Sequence, residues 1–467
     1  MHPNKKHASI QRCRIKKCAE RTNSYDFFNL LTSKELFEIV EGLLPDHRER
    51  TFPPTETLSM FLAQAMHADR SCQNIVNQAA IARLTGDLPP ISTGTSAYCK
   101  ARKRLPLEMI SELVRFTGKL TSATASDHWK WRGRPVKLID GTTTTMPDTV
   151  ENQKVFPQQQ AQAPGLGFPI CRIVGVVCLG SGTILDAGIG PYRGKGSGEQ
   201  SLLRSIIGCF EEGDVAIGDA CYPSYFLLAE LVSKGVDCIF EQNGMRKKLT
   251  DFRKGKRLGP KDHLVTYCKP KQKPNWMTED SYRAAPDSVT MREIKVGGKI
   301  LVTTFLSEGD APRKAIKDLY KSRWHIELDF RNIKTTLGME ILSCKTPDMV
   351  IKEIWVYFLA HNLIRTIMAE AASLSEILPR QLSFKHCLQL WQACRQRSFD
   401  ISDNEKLLVL LHMIAKNIVG NRPGRIEPRA IKRRPKPYSL LMLPREQARA
   451  YERKHGHPPK QRMGLAA

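Results

Sequence analysis

Asp214-Val-Ala-Ile-Gly-Asp219 is a run of four small or β-branched apolar residues bounded by two carboxylates. So short and uniformly apolar a run reads as a strand covered on both faces. Its flanks set the context. Downstream, Ser224 to Val232 has helical apolar spacing and Val236 to Phe240 is again strand-like, so the chain alternates strand, helix, strand. Upstream, Val136 to Ile139 predicts a strand that stops at Asp140-Gly141-Thr142. Ile173 to Leu179 and Thr183 to Ile189 predict a hairpin around Gly180-Ser-Gly182, and Ser201 to Phe210 a short helix after a Gly-rich loop. Three meandering strands followed by alternating helix and strand predict an α/β domain. The order of the strands within a sheet is not visible in the sequence.

Either side of this domain the pattern changes. Residues 1–125 read as helical: Thr32-x-x-Glu35 has the form of a capping box, Leu36, Ile39, Val40 and Leu43 follow at helical spacing, and Pro53-Pro54 open another apolar-periodic run. This region ends in a basic helix, Thr95 to Leu105, stopped by Pro106, whose Lys100, Arg102 and Arg104 are candidate phosphate contacts. Residues 126–243 form the first part of the α/β core. From 244 to 311 the chain becomes polar and basic, then returns to strand-like alternation over Ser288 to Leu306, predicting a β-rich insertion rather than an unstructured loop of that length. Residues 312–371 return to the core. The segment 372–467 begins with apolar-periodic helices and ends in a proline- and cation-rich arm, where Lys432, Arg433 and Arg434 are placed to lie on a phosphate backbone.

The returning segment carries the most specific pattern in the chain, Tyr320-Lys-Ser-Arg323-Trp-His-Ile-Glu327-Leu-Asp-Phe-Arg-Asn-Ile-Lys334. On one continuous α-helix Tyr320, Arg323, Glu327 and Lys334 would leave from one face. Ile316, Leu319, Ile326, Phe330, Ile333 and Leu337 form a separate apolar stripe, so the predicted helix has a packing side and a polar working side. The four polar residues match the Tyr-x2-Arg-x3-Glu-x6-Lys signature without departure, and the chain resembles the insertion sequence 4 family of Asp-Asp-Glu transposases. The resemblance implies a ribonuclease-H-like core, with which the strand and helix order is compatible. The insertion between the second aspartate strand and the glutamate helix also has its counterpart in that family, as does the Glu-Pro-Arg-x2-Lys-Arg-Arg-Pro-Lys run from Glu427 to Lys436.

Phosphodiester cleavage on such a core needs carboxylates that hold divalent cations. Asp140 and Asp219 each follow an apolar strand, and the resemblance makes them the family's two aspartates and Glu327 its glutamate. Asp148, Asp186, Asp214 and Asp329 are the competing acids; none combines a strand end with this order along the chain. Arg323 has the planar fork to grip a phosphate, Lys334 a point charge, Tyr320 one hydroxyl donor, and Trp324 a ring to stack on a base or ribose. Glu199, at the start of its helix, reads as a cap or supporting residue.

Composition agrees with a nucleic-acid partner. There are 72 Lys+Arg against 47 Asp+Glu, a formal charge of +25, which calls for a polyanion. No apolar run is long enough to span a bilayer, and Met1-His-Pro-Asn-Lys-Lys-His opens no signal peptide, so a cytoplasmic, nucleoid-associated protein is expected. The 13 cysteines are dispersed and read as reduced thiols, with Cys13 and Cys18 the one close pair and no partner set for zinc. The expected partners are double-stranded DNA, both terminal inverted repeats and target, and a second copy of the chain. The expected cofactor is Mg²⁺, with Mn²⁺ as a substitute. A stand-alone metal-dependent nuclease or resolvase and a non-catalytic DNA-binding regulator are the rival readings; the regulator would be expected to have lost one of the three carboxylates.

Overall fold

The computed structural model of the chain describes residues 42–44, 51–86, 88–242, 250–396, 404–419 and 441–456. Among the described residues, the α-helices complete at both ends before the sheet are α1 (Pro54–Met66), α2 (Cys72–Thr85), α3 (Ser96–Arg104) and α4 (Leu107–Ala123). The sheet then begins with β1 (Val136–Thr145), followed by α5 (Val150–Val155), β2 (Ile170–Cys178), β3 (Ile184–Pro191), α6 (Glu199–Ser205), β4 (Val215–Gly218), α7 (Tyr225–Ser233) and β5 (Asp237–Glu241). The insertion supplies β6 (Lys256–Gly259), β7 (Asp262–Cys268), α8 (Glu279–Ala284), β8 (Ser288–Val296) and β9 (Lys299–Thr303). Helices α9 (Arg313–Lys321), α10 (Trp324–Arg331), α11 (Pro347–Leu374), α12 (Phe384–Gln396), α13 (Asn404–Ala415) and α14 (Arg445–His455) complete the described chain.

All nine described strands belong to one mixed sheet of order β3-β2-β1-β4-β5-β9-β8-β7-β6. The first three are antiparallel neighbours, β4 and β5 run parallel to β1, and β9 returns antiparallel against β5. The segment between β5 and α9 therefore extends the central sheet. Alternation along the strands sends Leu138, Ile173, Val177 and Ile217 into one apolar cluster with residues of α4, α10 and α11. It sends Ile139, Val174, Val176 and Ala216 into a second cluster with residues of α6 and α7. Among the described residues no helix is long and apolar enough to cross a membrane.

Two expectations need correction. β1 does not stop at Asp140: it runs to Thr145, because the four threonines 142–145 favour extended backbone and pair in register with Ile170 to Ile173. The signature segment is also not one helix. Between Leu319 and Ile326 the backbone tightens, with Ser322, Arg323, His325 and Ile326 each donating to the carbonyl three residues back. The Ser322 hydroxyl adds a bond of 2.5 Å to the Leu319 carbonyl. A π-helical turn, Asn332–Leu337, follows α10 and ends at Gly338, whose φ of 95° suits glycine. The apolar stripe survives these breaks, since Ile316, Leu319, Ile326, Phe330, Ile333 and Leu337 are all buried.

The capping box at Thr32 and Glu35, the Cys13–Cys18 pair and the arm with Lys432, Arg433 and Arg434 lie outside the described residues. No disulfide joins the described cysteines; Cys171, Cys178, Cys238, Cys344 and Cys387 are buried thiols.

Candidate active site

The sheet register brings the two aspartates together. β1 and β4 pair as Val136↔Val215, Lys137↔Ala216 and Leu138↔Ile217, so Asp140 and Asp219 each follow two residues beyond the last pair, near enough for the charge of Asp219 to act on Asp140. β4 ends at Gly218, so the β1–β4 ladder does not continue beside Asp140. Period-2 alternation puts Asp140 on the Leu138 face, the one covered by α10 and α11. Its antiparallel partner on β2 is Gly175, where a Cβ would stand 3.0 Å from the Phe330 ring. That missing side chain lets α10 close down on the sheet and bring Glu327 to the aspartates.

Arg323 stands between the acids. Its Nη2 donates to Glu327 Oε1 at 2.7 Å and its Nη1 lies 3.7 Å from Asp140 Oδ2. Asp140 Oδ1 accepts the Gly141 backbone N–H at 2.9 Å, and Asp219 Oδ1 accepts that of Cys221 at 2.8 Å. Burial pushes the Asp140 carboxyl up to about 6; the Gly141 N–H and Arg323 pull the other way, while the charges of Asp219 and Glu327 add to the rise. Arg323 itself is held above its ordinary pKa, because Tyr320, Glu327 and Asp140 together outweigh its burial.

These three carboxylates are hard oxygen donors with negative charge left over, the donor set that suits a divalent cation. Among the described residues no three acid, His or Cys side chains converge tightly enough to hold one ion, and it is the Arg323 guanidinium that sits between Asp140 and Glu327. In this arrangement the arginine partly compensates a charge that bound cations would neutralise.

The other expected residues divide. Tyr320 is buried, and its hydroxyl donates to Glu241 Oε2 at 3.0 Å, so that donor is already engaged. Trp324 is 54% exposed, with its ring free to meet a ligand. Lys334 lies in the π-helical turn and is half-buried. On α3, Lys100 and Arg104 are exposed, but Arg102 is not a surface cation. Its guanidinium turns inward, bonds Gln64 Oε1 at 3.2 Å and stacks over the Phe61 and Tyr98 rings, because Tyr98, Ala101 and Arg102 form the packing side of that helix. The competing acids are accounted for by partners: Asp214 with Lys137 at 2.5 Å, Asp186 with Arg115 at 3.0 Å, and Asp329 with Arg365 and Arg380. Asp148 is exposed and accepts from the Gln153 amide.

Glu241, not among the expected site residues, ends β5 and accepts from both Tyr320 and Lys299. The signal used for Asp140 and Asp219, an acid closing an apolar strand, applied to it equally.

Residues 131–363 match a protein family described as a transposase DDE domain. Over 420 residues the chain is 28% identical to the transposase InsG for insertion sequence element IS4 of Escherichia coli K12, covering 87% of this chain and 86% of that one. It is also 27% identical over 141 residues to the putative transposase InsZ of the same strain, covering 30% of this chain and 46% of the relative. Among solved structures, the piggyBac transposase synaptic complex with hairpin DNA aligns over 87% of each chain, with 11% identity and a TM-score of 0.44. The matched segment runs from the entry to β1 into α11 and holds Asp140, Asp219 and Glu327. The chain thus belongs to the DDE transposases, as an insertion-sequence transposase of the IS4 type.

Proposed function

We propose that this transposase binds the terminal inverted repeats of its own element, hydrolyses the phosphodiesters at the 3′ ends, and joins the freed ends to target DNA. Asp140, Asp219 and Glu327 are the residues that would hold its divalent cations, with Mg²⁺ the natural ion and Mn²⁺ a substitute. The observation that carries this reading is that Asp140 and Asp219 each follow the last β1–β4 pair by two residues on neighbouring parallel segments, with Glu327 linked to Asp140 through Arg323. The order β3-β2-β1-β4-β5, with β2 antiparallel to both its neighbours, supports a ribonuclease-H-like core for which the remaining four strands are an insertion.

When bound, the cations supply an activated oxygen nucleophile and stabilise the leaving oxygen. The chain's own residues then bind and orient DNA. Arg323 has a planar fork that fits a phosphate as well as it fits a carboxylate, so it exchanges Asp140 and Glu327 for the DNA backbone as the site fills. Lys334 adds a point charge further along the segment. Trp324, exposed beside Arg323, offers a face for a base or ribose near the cleaved bond. Lys100 and Arg104 on α3, and Lys432, Arg433 and Arg434 of the arm, hold duplex phosphates away from the reacting bond. Two ends are processed together, which requires two copies of the chain on paired ends.

The test uses a linear duplex carrying the element's ends. Wild-type protein is expected to release 3′-hydroxyl ends in Mg²⁺ and not in EDTA, and to join pre-cleaved ends to a plasmid. Cleavage that ignores the end sequence, or that never proceeds to joining, would point to a general nuclease.

A further inference from the structure

The β1–β4 ladder stops at Leu138↔Ile217, two residues short of Asp140 and Asp219. Beyond that point the spacing of the two carboxylates is set by other contacts, and the structure gathers them on one side chain. We infer that Glu199 is a positioning residue that fixes the separation of Asp140 and Asp219 from the face of the sheet opposite the reacting bond.

Glu199 opens α6 and reaches both strands. Toward β1 it presses on Gly141, where a Cβ would lie 2.4 Å from the carboxyl carbon and 2.5 and 2.8 Å from its two oxygens. Alternation puts the vacant Cβ direction of Gly141 on the face away from Asp140, so the carboxylate backs the strand at the residue after the aspartate. Toward β4 it accepts the hydroxyl of Tyr222 at 3.3 Å. Tyr222 is fully buried, and its hydroxyl is held protonated, first by burial and then by the charge of Glu199. The next residue of α6 adds a second grip, Gln200 Nε2 to the Cys221 carbonyl at 2.6 Å. Cys221 in turn gives its backbone N–H to Asp219 Oδ1. An unbroken set of contacts therefore runs from β1 at Gly141, through Glu199, to Cys221, Tyr222 and Asp219.

Two features separate this role from that of a fourth cation-holding acid. Glu199 lies behind the strand that carries Asp140, and one of its carboxylate oxygens already accepts the Tyr222 hydroxyl. A brace needs an acceptor of the right length and no formal charge, so the neutral isostere should replace it. Glycine at 141 is required for the same reason, since a methyl there would displace the carboxylate, which is the free end of a flexible side chain.

The inference rests on Asp140 and Asp219 being the residues that hold the cations, and the experiment keeps the two failures apart. The full chain is assayed for Mg²⁺-dependent cleavage of a duplex carrying the element ends, for end binding by gel shift, and for Mn²⁺ affinity by titration without DNA. Glu199→Ala is expected to lower the cleavage rate by about 10- to 100-fold and to weaken Mn²⁺ binding, with end binding kept within about twofold. Glu199→Gln, which still accepts from Tyr222, should stay within about threefold of wild type. Gly141→Ala should reproduce the Glu199→Ala defect, and the double variant should be no worse than either single one. Wild-type cleavage by Glu199→Ala overturns the inference; so does a Glu199→Gln as inactive as Asp219→Asn, which would make Glu199 a ligand; so do losses that multiply in the double variant. If Asp219→Asn cleaves normally, it is the site assignment that fails. If Glu199→Ala melts below the assay temperature, Tyr222→Phe, which deletes one hydroxyl, should still slow cleavage measurably at unchanged end binding, and a full-rate Tyr222→Phe overturns the inference.

Discussion

Asp329 and Asp140 are both drawn out of solvent near α10, and both meet arginine, yet the protein treats their charges in opposite ways. Asp329 has no exposure and is held by Arg365 and by Arg380, the latter at 2.8 Å. Burial alone would raise its pKa, but the two arginines outweigh burial and the carboxyl is held below its ordinary range. Asp140 has one arginine at 3.7 Å, shared with Glu327, and burial there wins. The first cluster is closed upon itself and serves to lock α10 against α11 and the turn at Pro379–Gln381. The second is left short of positive charge. The contrast between Asp329 and Asp140 is one of completeness of compensation, which in the proposed reading separates a structural acid from one kept for a ligand.

The largest effect expected from this contrast is on chemistry. Asp140→Asn, Asp219→Asn or Glu327→Gln should each lower end cleavage in Mg²⁺ by at least about a hundredfold while end binding persists. A single variant within about tenfold of wild type would remove that residue from the working cluster. Next comes stability on the other side. Arg365→Met leaves Asp329 with one partner in a buried site and should cost about 3–5 kcal/mol, read as a lower urea midpoint. An unchanged midpoint would mean that the Asp329 cluster is not what closes this part of the core.

The third effect concerns pH. The Asp140 carboxyl has an ordinary value of 3.8 and is raised to about 6 in the folded protein. Between these values the folded state holds a proton that the unfolded state has lost, so stability falls as pH rises across that window, and the cost is complete above about 6. Asp140→Asn removes it. In metal-free buffer the stability gained by this variant should therefore grow from pH 4 to pH 6 and then level off. A gain independent of pH would show that Arg323 fully compensates the carboxylate. Mn²⁺ affinity of the wild type should fall as pH drops through about 6, since a proton then competes for the same oxygens.

The smallest effect separates two cations of one helix. Arg104→Ala should flatten the salt dependence of DNA binding by about one phosphate contact, with little change in melting temperature. Arg102→Met should do the reverse, lowering the melting temperature and leaving the salt slope alone. If both alter only the slope, the inward packing of Arg102 is not maintained in solution.

Much of this was legible in the residues because it is local. Strand alternation, the hairpin at Gly180 to Gly182 and the apolar stripe from Ile316 to Leu337 depend on near neighbours, and each appears where the pattern puts it. Asp219 sits at a strand end as expected. The placement of Asp140 at a strand end is half right, since its strand runs on to Thr145 and it is β4 that ends beside it. The break at Ser322 escaped notice because one hydroxyl bond and a change of hydrogen-bond step leave no mark on periodicity. Arg102 was misplaced because a cation on a basic helix looks exposed until Gln64, from another helix, provides its partner. The contacts of Glu199 are with residues more than twenty positions away and have no local signature, whereas Glu241 closes an apolar strand as Asp219 does.

The nine-stranded sheet has two ends, and they are protected by different means. At β3 the helix α4 lies so close that a side chain at Gly118 would collide with the Ile184 carbonyl at 2.2 Å. At β6 the described sheet simply stops, and that last strand reads Lys256-Arg257-Leu258-Gly259 with its two cations exposed. An open row of backbone donors and acceptors is a template for another chain's strand, and paired charges on a short edge make that approach repulsive. A sheet extended this far would otherwise invite polymerisation whenever the protein accumulates, and the same cations that discourage it are available to a polyanion.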